Sequence, residues 1–232
     1  MASMKDSIKK IYNGNAVFET HLLFMILSMI MSATFLFFGE KSFTTLGIFI
    51  ALGFLFQGYY FTLMHNTIKE THDELPDIGI ETILVVAKAI PIYLVIWLAA
   101  ILLTVTIGLI PLVGPLIAGI LISLLAILMQ LQYCENFKLP DAFNFKKINA
   151  LLIEIIVPYI ILNLKLLLVA ILCLTPIAMF AAFIGRMNPF VGVTFICYFS
   201  VIIFPLVYYD NLAQIYTEIT FDKNEKPYTE FV

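Results

Sequence analysis

Between Lys88 and Glu135 the chain reads AIPIYLVIWLAAILLTVTIGLIPLVGPLIAGILISLLAILMQLQYC (residues 89–134), without one charged side chain. Roughly 20 apolar residues suffice to cross the hydrocarbon core of a bilayer, so this run is long enough to cross it twice. Near its middle, Pro111, Gly114 and Pro115 interrupt the helical pattern and predict a tight turn or hinge between two spans. The chain is therefore predicted to pass through a membrane more than once.

The rest of the sequence has the same character. Its 232 residues are 62% hydrophobic and 12% charged, and its mean hydropathy is +1.01. These values exclude an ordinary soluble globular protein. We predict a single all-α integral membrane domain over residues 1–232, a bundle of six transmembrane helices. The predicted spans are residues 18–38, 43–64, 90–110, 112–132, 159–183 and 189–209.

The basic residues predict the orientation, because lysine and arginine in short loops are retained on the cytoplasmic side. With six spans, the N-terminal segment, the linkers after the second and fourth spans, and the C-terminal tail all lie on one face. The opposite face receives only Lys41 and Arg186. Both termini are therefore expected to be cytoplasmic. The basic residues of the first face are Lys5, Lys9, Lys10, Lys69, Lys88, Lys138, Lys146, Lys147, Lys223 and Lys226.

Tyrosines gather near the same predicted ends of the spans, where amphipathic rings would lie at the level of the lipid headgroups. This distribution predicts an aromatic belt on the cytoplasmic side. The tyrosines concerned are Tyr59, Tyr60, Tyr93, Tyr133, Tyr159, Tyr208 and Tyr209, together with Trp97.

The two long linkers share a pattern. Leu75-Pro76-Asp77 and Leu139-Pro140-Asp141 each suit a helix start, and Pro91 and Pro158 follow where each chain segment enters the membrane. We predict two short interfacial helices, each bending at its proline into a full span. The match indicates either a parallel internal repeat or the coincidence of a three-residue string. The two short helices would cover residues 78–89 and 142–157.

Two pairs of small residues follow the predicted turn at a spacing of four, namely Gly114 with Ala118 and Gly119 with Ser123. Small residues at this spacing permit helices to approach closely, so they predict helix packing. A broken helix that lines a cavity is the alternative functional interpretation of the turn.

One ionisable side chain lies well inside a predicted span, Lys165, with Asn163 beside it. Charges at membrane depth are costly and are often functional. Lys165 either extends its ammonium to the headgroups or pairs with Glu154 or Glu135 in a polar cavity. We treat Lys165, Asn163 and Glu154 as a candidate intramembrane polar site.

Other chemistry is weakly indicated. His65 and His72 are seven residues apart beside several carboxylates, which permits a divalent metal site, but the spacing matches no specific ligand motif and a solvated acidic loop is the favoured interpretation. The three cysteines are isolated from one another. No catalytic set, cofactor site or metal site is predicted, and a net charge of −3 argues against nucleic acid as a partner.

Several loose motifs resemble a family of prokaryotic membrane proteins known as a domain of unknown function, which is similar to the membrane domain fused to some glycerophosphodiester phosphodiesterases. They are Gly58-Tyr59, Leu75-Pro76-Asp77, IGLIPLVGP (residues 107–115) and Asp141-Ala142-Phe143. The resemblance implies a multi-pass protein of the prokaryotic cytoplasmic (inner) membrane and carries no active site to transfer.

Two functions from different classes follow. The first is a non-enzymatic accessory, scaffold or immunity-type component, whose partners would be membrane lipids and either another membrane protein or a second copy of the chain. The second is a small-solute transporter or channel subunit with a polar cavity near Lys165. A continuous polar cavity reaching Lys165 would favour transport, and a dry, packed interior would favour the accessory role.

Overall fold

The computed structural model describes residues 4–12, 17–38, 43–69, 75–76, 78–110 and 113–221. These residues form helices and the turns that join them, without a strand, so the predicted all-α class is confirmed. The helices are α1 (Met4–Tyr12), α2 (Val17–Phe38), α3 (Phe43–Lys69), α4 (Ile80–Thr106), α5 (Gly114–Asn136), α6 (Leu139–Ala142), α7 (Phe145–Val169), α8 (Thr175–Met187), α9 (Pro189–Cys197) and α10 (Phe204–Thr220).

Six helical stretches within the described residues are long and apolar enough to cross a membrane, which confirms the predicted number of spans. Helices α2 to α5 each form one span, whereas α7 with α8 and α9 with α10 form the last two. The last span continues to Thr220, well beyond the predicted end at residue 209. Hydropathy predicts that a span ends at the first polar residues. The helix itself continues past them wherever those polar residues find hydrogen-bond partners.

The two predicted interfacial helices are not separate elements. Pro91 lies inside α4 and Pro158 inside α7, and each helix runs through its proline. A proline removes one backbone donor, and neighbouring helices can compensate for that loss in a transmembrane bundle. Residues 139–142 form the single turn α6, and α7 then begins after Asn144, whose side chain accepts a hydrogen bond from the Lys147 backbone N–H at 3.1 Å.

Each of the last two spans contains one π-helical turn, and each of these turns lies just before a proline. Residues Ala170–Leu174 lie just before Pro176, and Tyr198–Ile203 lie just before Pro205. A proline lacks an N–H and its ring crowds the carbonyl four residues earlier, so a wider turn relieves the crowding. For Pro205 that carbonyl belongs to Val201, and the hydroxyl of Tyr60 on α3 donates to it at 2.6 Å. Tyr60 thus replaces a donor that the proline removed.

The first and last described helices meet at one end of the bundle, because Ser7 of α1 donates a hydrogen bond to Asp210 of α10. Lys10 and Thr67 join α1 to the end of α3 at this same end. We call it the termini end, and we call the opposite end, with the connections α2–α3, α4–α5 and α8–α9, the hairpin end. The termini half comprises residues 17–28, 56–69, 80–93, 124–136, 145–159 and 198–220, and the hairpin half comprises residues 29–38, 43–55, 94–110, 113–123 and 160–197.

The core lies in the termini half. Helices α3 and α5 are central in the bundle. In the most apolar 18-residue stretch of each, 39% is buried within the protein, compared with 11% for α4 and 6% for the α7–α8 span. The largest fully buried side chains all belong to the termini half or to α1. They are Tyr59, Tyr133, Tyr216, Phe24, Phe61, Ile11, Leu63, Met64, Ile68, Ile92, Leu124 and Leu128.

This core differs from the predicted aromatic belt. Tyr59 and Tyr133 are fully buried between helices instead of facing lipid, while Trp97 is 63% exposed. The hydroxyl of Tyr133 donates to the carbonyl of Val85 on α4 at 2.7 Å. A buried tyrosine hydroxyl needs a hydrogen-bond partner, and for Tyr133 the bundle supplies one.

Close helix approach occurs at a glycine that the sequence analysis did not select for this role. A Cβ atom on Gly58 of α3 would lie 2.0 Å from the carbonyl oxygen of Thr82 on α4, so only glycine fits between these two helices. Of the predicted pairs, Gly114 and Ala118 are buried. Gly119 has nothing within 4 Å of its Cβ position, so it does not mediate helix packing within the chain.

Candidate functional site

A buried carboxylate joins three helices at the termini end. Asp210 of α10 is 2% exposed, and its Oδ2 accepts hydrogen bonds from the Ser7 hydroxyl at 2.5 Å and the Gln214 amide at 2.7 Å. Its Oδ1 lies 2.6 Å from the Thr67 hydroxyl and 3.5 Å from the Lys10 ammonium. Lys10 also donates to the Thr67 hydroxyl oxygen at 3.0 Å. Both carboxylate oxygens are therefore fully engaged.

Ser7 is the centre of the neutral part of this cluster and is fully buried. Its hydroxyl oxygen accepts from the Asn211 amide at 2.9 Å and from the Gln214 amide at 3.0 Å. The Asn211 amide donates as well to the Val207 carbonyl, one turn earlier in α10, at 2.8 Å. We refer to Ser7, Lys10, Thr67, Asp210, Asn211 and Gln214 as the Asp210 network.

The charges in this network depend on one another. Lys10, whose side chain is 13% exposed, places its ammonium 3.5 Å from the buried carboxylate of Asp210. Two ions removed from water are tolerated only when each retains a partner and its remaining hydrogen bonds are satisfied. The arrangement holds α1 against α3 and α10 and leaves neither oxygen of Asp210 open to a reactant.

A second contact fixes the end of α1. The Nε2 atom of His21 on α2 lies 2.9 Å from the carbonyl oxygen of Ile11, and its Nδ1 lies 2.5 Å from the Tyr198 hydroxyl. The ring of Tyr12 stacks on His21 with centroids 5.3 Å apart. Carbonyls at a helix C-terminus lack helical donors, so His21 satisfies one of them and ties α1 to α2 and, through Tyr198, to the last span.

Another acidic side chain at the termini end has a different set of partners. Glu135 at the end of α5 accepts from the Lys147 ammonium at 2.6 Å and from the Tyr216 hydroxyl at 2.8 Å, both on its Oε2. The same ammonium lies 5.7 Å above the centroid of the Tyr216 ring. These contacts join α5, α7 and α10.

The structure places the residues of the candidate intramembrane site on the surface of α7. Lys165, Asn163 and Glu154 are all exposed, and no ion pair joins Lys165 to Glu154. The Asn163 amide donates to the carbonyl of Tyr159 in its own helix at 2.8 Å. Glu135, the other partner considered for Lys165, pairs with Lys147 instead.

Only part of the predicted turn between the third and fourth spans lies within the described residues. Pro111 lies outside the described residues. Gly114 is the first residue of α5 and is buried, and Pro115 follows in the first helical turn, where a missing N–H has no cost. A Cβ atom on Gly114 would lie 2.1 Å from the Ile107 carbonyl oxygen, so the α4–α5 connection requires glycine there.

The histidine pair cannot be assembled from the described residues, because His72 lies outside them. His65 has another role, since its Nδ1 lies 2.6 Å from the Cys134 carbonyl oxygen and its ring stacks on Phe137 at 4.4 Å. Within the described part of the chain, no group of three His, Cys, Asp or Glu side chains is placed to hold a metal ion. Cys134, Cys173 and Cys197 are unbridged, and Cys173 is exposed.

The Asp210 network was not predicted from the sequence, because the sixth span was predicted to end at residue 209, one residue before Asp210. A signal was present in the sequence. Asp210, Asn211 and Gln214 lie on one face of a helix that begins as an apolar span, and Ser7 and Lys10 are three apart on a short basic helix.

Comparison of the chain with models of protein families, with curated proteins and with solved structures found no match in any of the three. The resemblance to the prokaryotic membrane family therefore stays a prediction from the residues that carry it.

Proposed function

We propose that this multi-pass membrane protein is non-enzymatic and serves as an accessory, scaffold or immunity-type component of a prokaryotic inner membrane, with both termini in the cytoplasm. In this role its partners are membrane lipids and either another membrane protein or a second copy of the chain.

The observation that carries the proposal is how the Asp210 network is used. A catalytic or transporting carboxylate needs an oxygen that can reach a substrate or an ion. Both oxygens of Asp210 instead bind side chains of α1, α3 and α10, which serves to hold helices together. Polar groups committed to such contacts support a structural role for the bundle.

The alternative function, transport, draws on a polar cavity near Lys165. Lys165 is exposed on α7 and has no acidic partner within the described part of the chain, which lends that alternative no support. An ammonium on a lipid-facing surface can extend along the helix to the headgroups.

The proposed role is tested by determining what the chain is bound to when it is extracted from the membrane. Membranes expressing the full chain are extracted into native nanodiscs, and particle masses are compared with that of the 26.2 kDa chain. An accessory role predicts a stoichiometric complex with another membrane protein or a defined oligomer that conducts no ions in planar bilayers. Ion conductance or solute flux by the isolated chain would overturn the proposal in favour of transport.

The orientation is tested by labelling single cysteines in a variant that lacks Cys134, Cys173 and Cys197. Cysteines at the exposed positions Lys9 and Lys146 should resist a membrane-impermeant maleimide in intact cells, whereas one at Arg186 should react. Labelling in the opposite pattern would invert the topology.

A further inference from the structure

The fifth and sixth spans pack together at both ends but not in the middle. At the hairpin end, α8 and α9 approach so closely that a Cβ atom on Gly192 would lie 2.8 Å from the Gly185 Cα. At the termini end, α7 packs on α10, and the Lys147 ammonium lies 5.7 Å from the centroid of the Tyr216 ring. The π-helical turns in the middle of the two spans have other neighbours, since the turn of the sixth span packs on α2 and that of the fifth on the adjoining α7 and α8.

The fifth span is open between these two zones of contact, and we call its residues 167–180 the arch. The arch follows Leu166, which is 3% exposed, and precedes Ala181, which is 1% exposed. All residues of the arch are described, and none of them is buried. Leu168 and Leu172 are 59% and 64% exposed. The arch is thus held at its two ends, and its own side chains contribute little to the packing of the bundle.

The sixth span is open at the same height. The rings of Phe180 and Phe195 meet at the hairpin end of the arch, with centroids 5.9 Å apart, and just beyond them Ile196 and Ser200 are exposed. We call the space between the arch and the sixth span the gap. The arch has 14 residues, about 21 Å of helix, whereas one leaflet contributes about 15 Å of hydrocarbon. The gap is therefore long enough for a lipid acyl chain, and the hydrocarbon core offers no water to fill it.

A cation lies at the termini end of the gap. Lys165, two residues before the arch, is exposed and has no acidic partner within the described part of the chain. The 20 residues from 166 to 185, between Lys165 and Arg186, carry no charge, and about 20 residues make one crossing of the bilayer core. Lys165 therefore lies at the level of the headgroups on the termini side. Leu168 and Leu172 follow it at spacings of three and seven, which places all three on one side of the helix.

An anionic phospholipid matches both features, since its phosphate suits the ammonium and its acyl chain suits the gap. A second copy of the chain fits less well. A twofold axis along the membrane normal brings identical residues together and would set two Lys165 ammonium groups against each other. We propose that an anionic phospholipid inserts an acyl chain into the gap and that Lys165 binds its headgroup phosphate. This inference is independent of the accessory role proposed above.

The headgroup contact is tested by native mass spectrometry of the full chain with equal amounts of phosphatidylglycerol and phosphatidylcholine of the same acyl chains. Phosphatidylglycerol should be retained about fivefold over phosphatidylcholine, the attraction expected for one lysine at an anionic lipid surface. Lys165→Met should abolish the preference, and Lys165→Arg should keep it. A preference that survives Lys165→Met would overturn the proposal.

Lys88→Met is the matched control. Lys88 is exposed as well, and it too is the last charged residue before an uncharged apolar stretch. The helix beside it is packed, however, because Ala89 and Ile92 are fully buried. The control should therefore keep the preference of the wild type. An equal loss in the Lys88 and Lys165 variants would reduce the effect to general surface charge and would contradict a site at the arch.

The acyl chain is located in the unmodified protein with phosphatidylglycerol that carries a photoreactive diazirine in the middle of one chain. After purification in detergent and illumination, labels should lie on residues 167–180 and 196–203 more often than on the exposed residues of α4, and Lys165→Met should remove the excess. Equal labelling of the arch and of α4 would show general lipid contact only and would sink the proposal. A particle in which a second chain or another protein covers the arch, without lipid label there, would replace it by a protein occupant.

Discussion

The two halves of the bundle are held together by different means. The termini half contains the large buried aromatic and aliphatic side chains and most of the Asp210 network, whereas the hairpin half buries fewer side chains, and both halves present apolar side chains outward. Phe43 is 91% exposed, Phe37 83% and Met187 81%. The buried residues of α2 in the hairpin half include the small side chain of Ser32, whose hydroxyl donates to the Ser28 carbonyl of its own helix at 2.8 Å.

The contrast reflects how helices associate in lipid. Lipid tails are as apolar as leucine, so burying leucine between helices yields little, and association depends on close packing and interhelical hydrogen bonds. Such bonds link helices of the termini half through side chains of Tyr60, Tyr133 and Asp210. Substitutions should therefore destabilise the protein most in the termini half and least on the exposed surfaces.

The largest effect is expected at the Asp210 network. Asp210→Ala removes the carboxylate and leaves buried donors and the Lys10 ammonium without their acceptor, which should lower the free energy of unfolding by about 3–5 kcal/mol. The measurement is thermal or denaturant unfolding in detergent. Glu154→Gln, at an exposed carboxylate, is the control and should stay close to wild type. Equal effects of the two changes would show that the buried Asp210 network does not stabilise the bundle.

The next effect is expected at the α3–α4 contact. Gly58→Ala places a methyl group against the Thr82 backbone and should cost about 1–3 kcal/mol through overpacking. Gly53→Ala is the matched control on the same helix, since nothing lies within 4 Å of its Cβ position. The control should be neutral or slightly stabilising, because alanine favours a helix. A destabilising Gly53→Ala together with a neutral Gly58→Ala would reverse the assignment of packed and open faces.

A smaller effect is expected at Tyr60. Tyr60→Phe removes the donor to the Val201 carbonyl and should cost about 1–2 kcal/mol, since that carbonyl is then left without the hydroxyl in an apolar interior. Tyr12→Phe removes a hydroxyl from an exposed ring and should be neutral. Backbone hydrogen exchange around Pro205 should increase only in the Tyr60 variant. Unchanged exchange there would show that the hydroxyl does not stabilise the π-helical turn.

The smallest effect is expected at Lys165. Lys165→Met replaces an exposed ammonium on α7 and should change the unfolding free energy by no more than about 0.5 kcal/mol. Glu154→Gln and the double variant should give additive effects. Strong coupling between the two positions would indicate an intramembrane pair and would restore the case for transport.

Part of this architecture was predictable from the sequence. The uncharged run of residues 89–134 predicted two spans, and the whole hydropathy pattern predicted six, because the length of an apolar helix is set by the thickness of the bilayer. The end of the last span was not predictable in the same way. Asp210 interrupts the apolar pattern, and contacts with Thr67 and Ser7, 143 and 203 positions earlier in the chain, explain its burial.

The predicted site residues illustrate the same limit. Lys165 was selected because it lies within an apolar helix, but helical position alone does not say which face looks toward lipid. The tyrosines were assigned to a lipid-facing belt by their place in the sequence, yet the Tyr133 hydroxyl bonds the Val85 carbonyl across the interior. Both assignments depend on neighbours from other helices.

By itself, the sequence determined that the chain is all-α and has six apolar helices long enough to cross a membrane, because these properties follow from local composition and from the need to satisfy every backbone hydrogen bond in lipid. Only the tertiary structure decided which polar residues are buried, which glycine lies between helices, and that α1 is fixed to the bundle by Asp210. Those features arise from contacts between distant parts of the chain, whose energies depend on distance and geometry that no local pattern encodes.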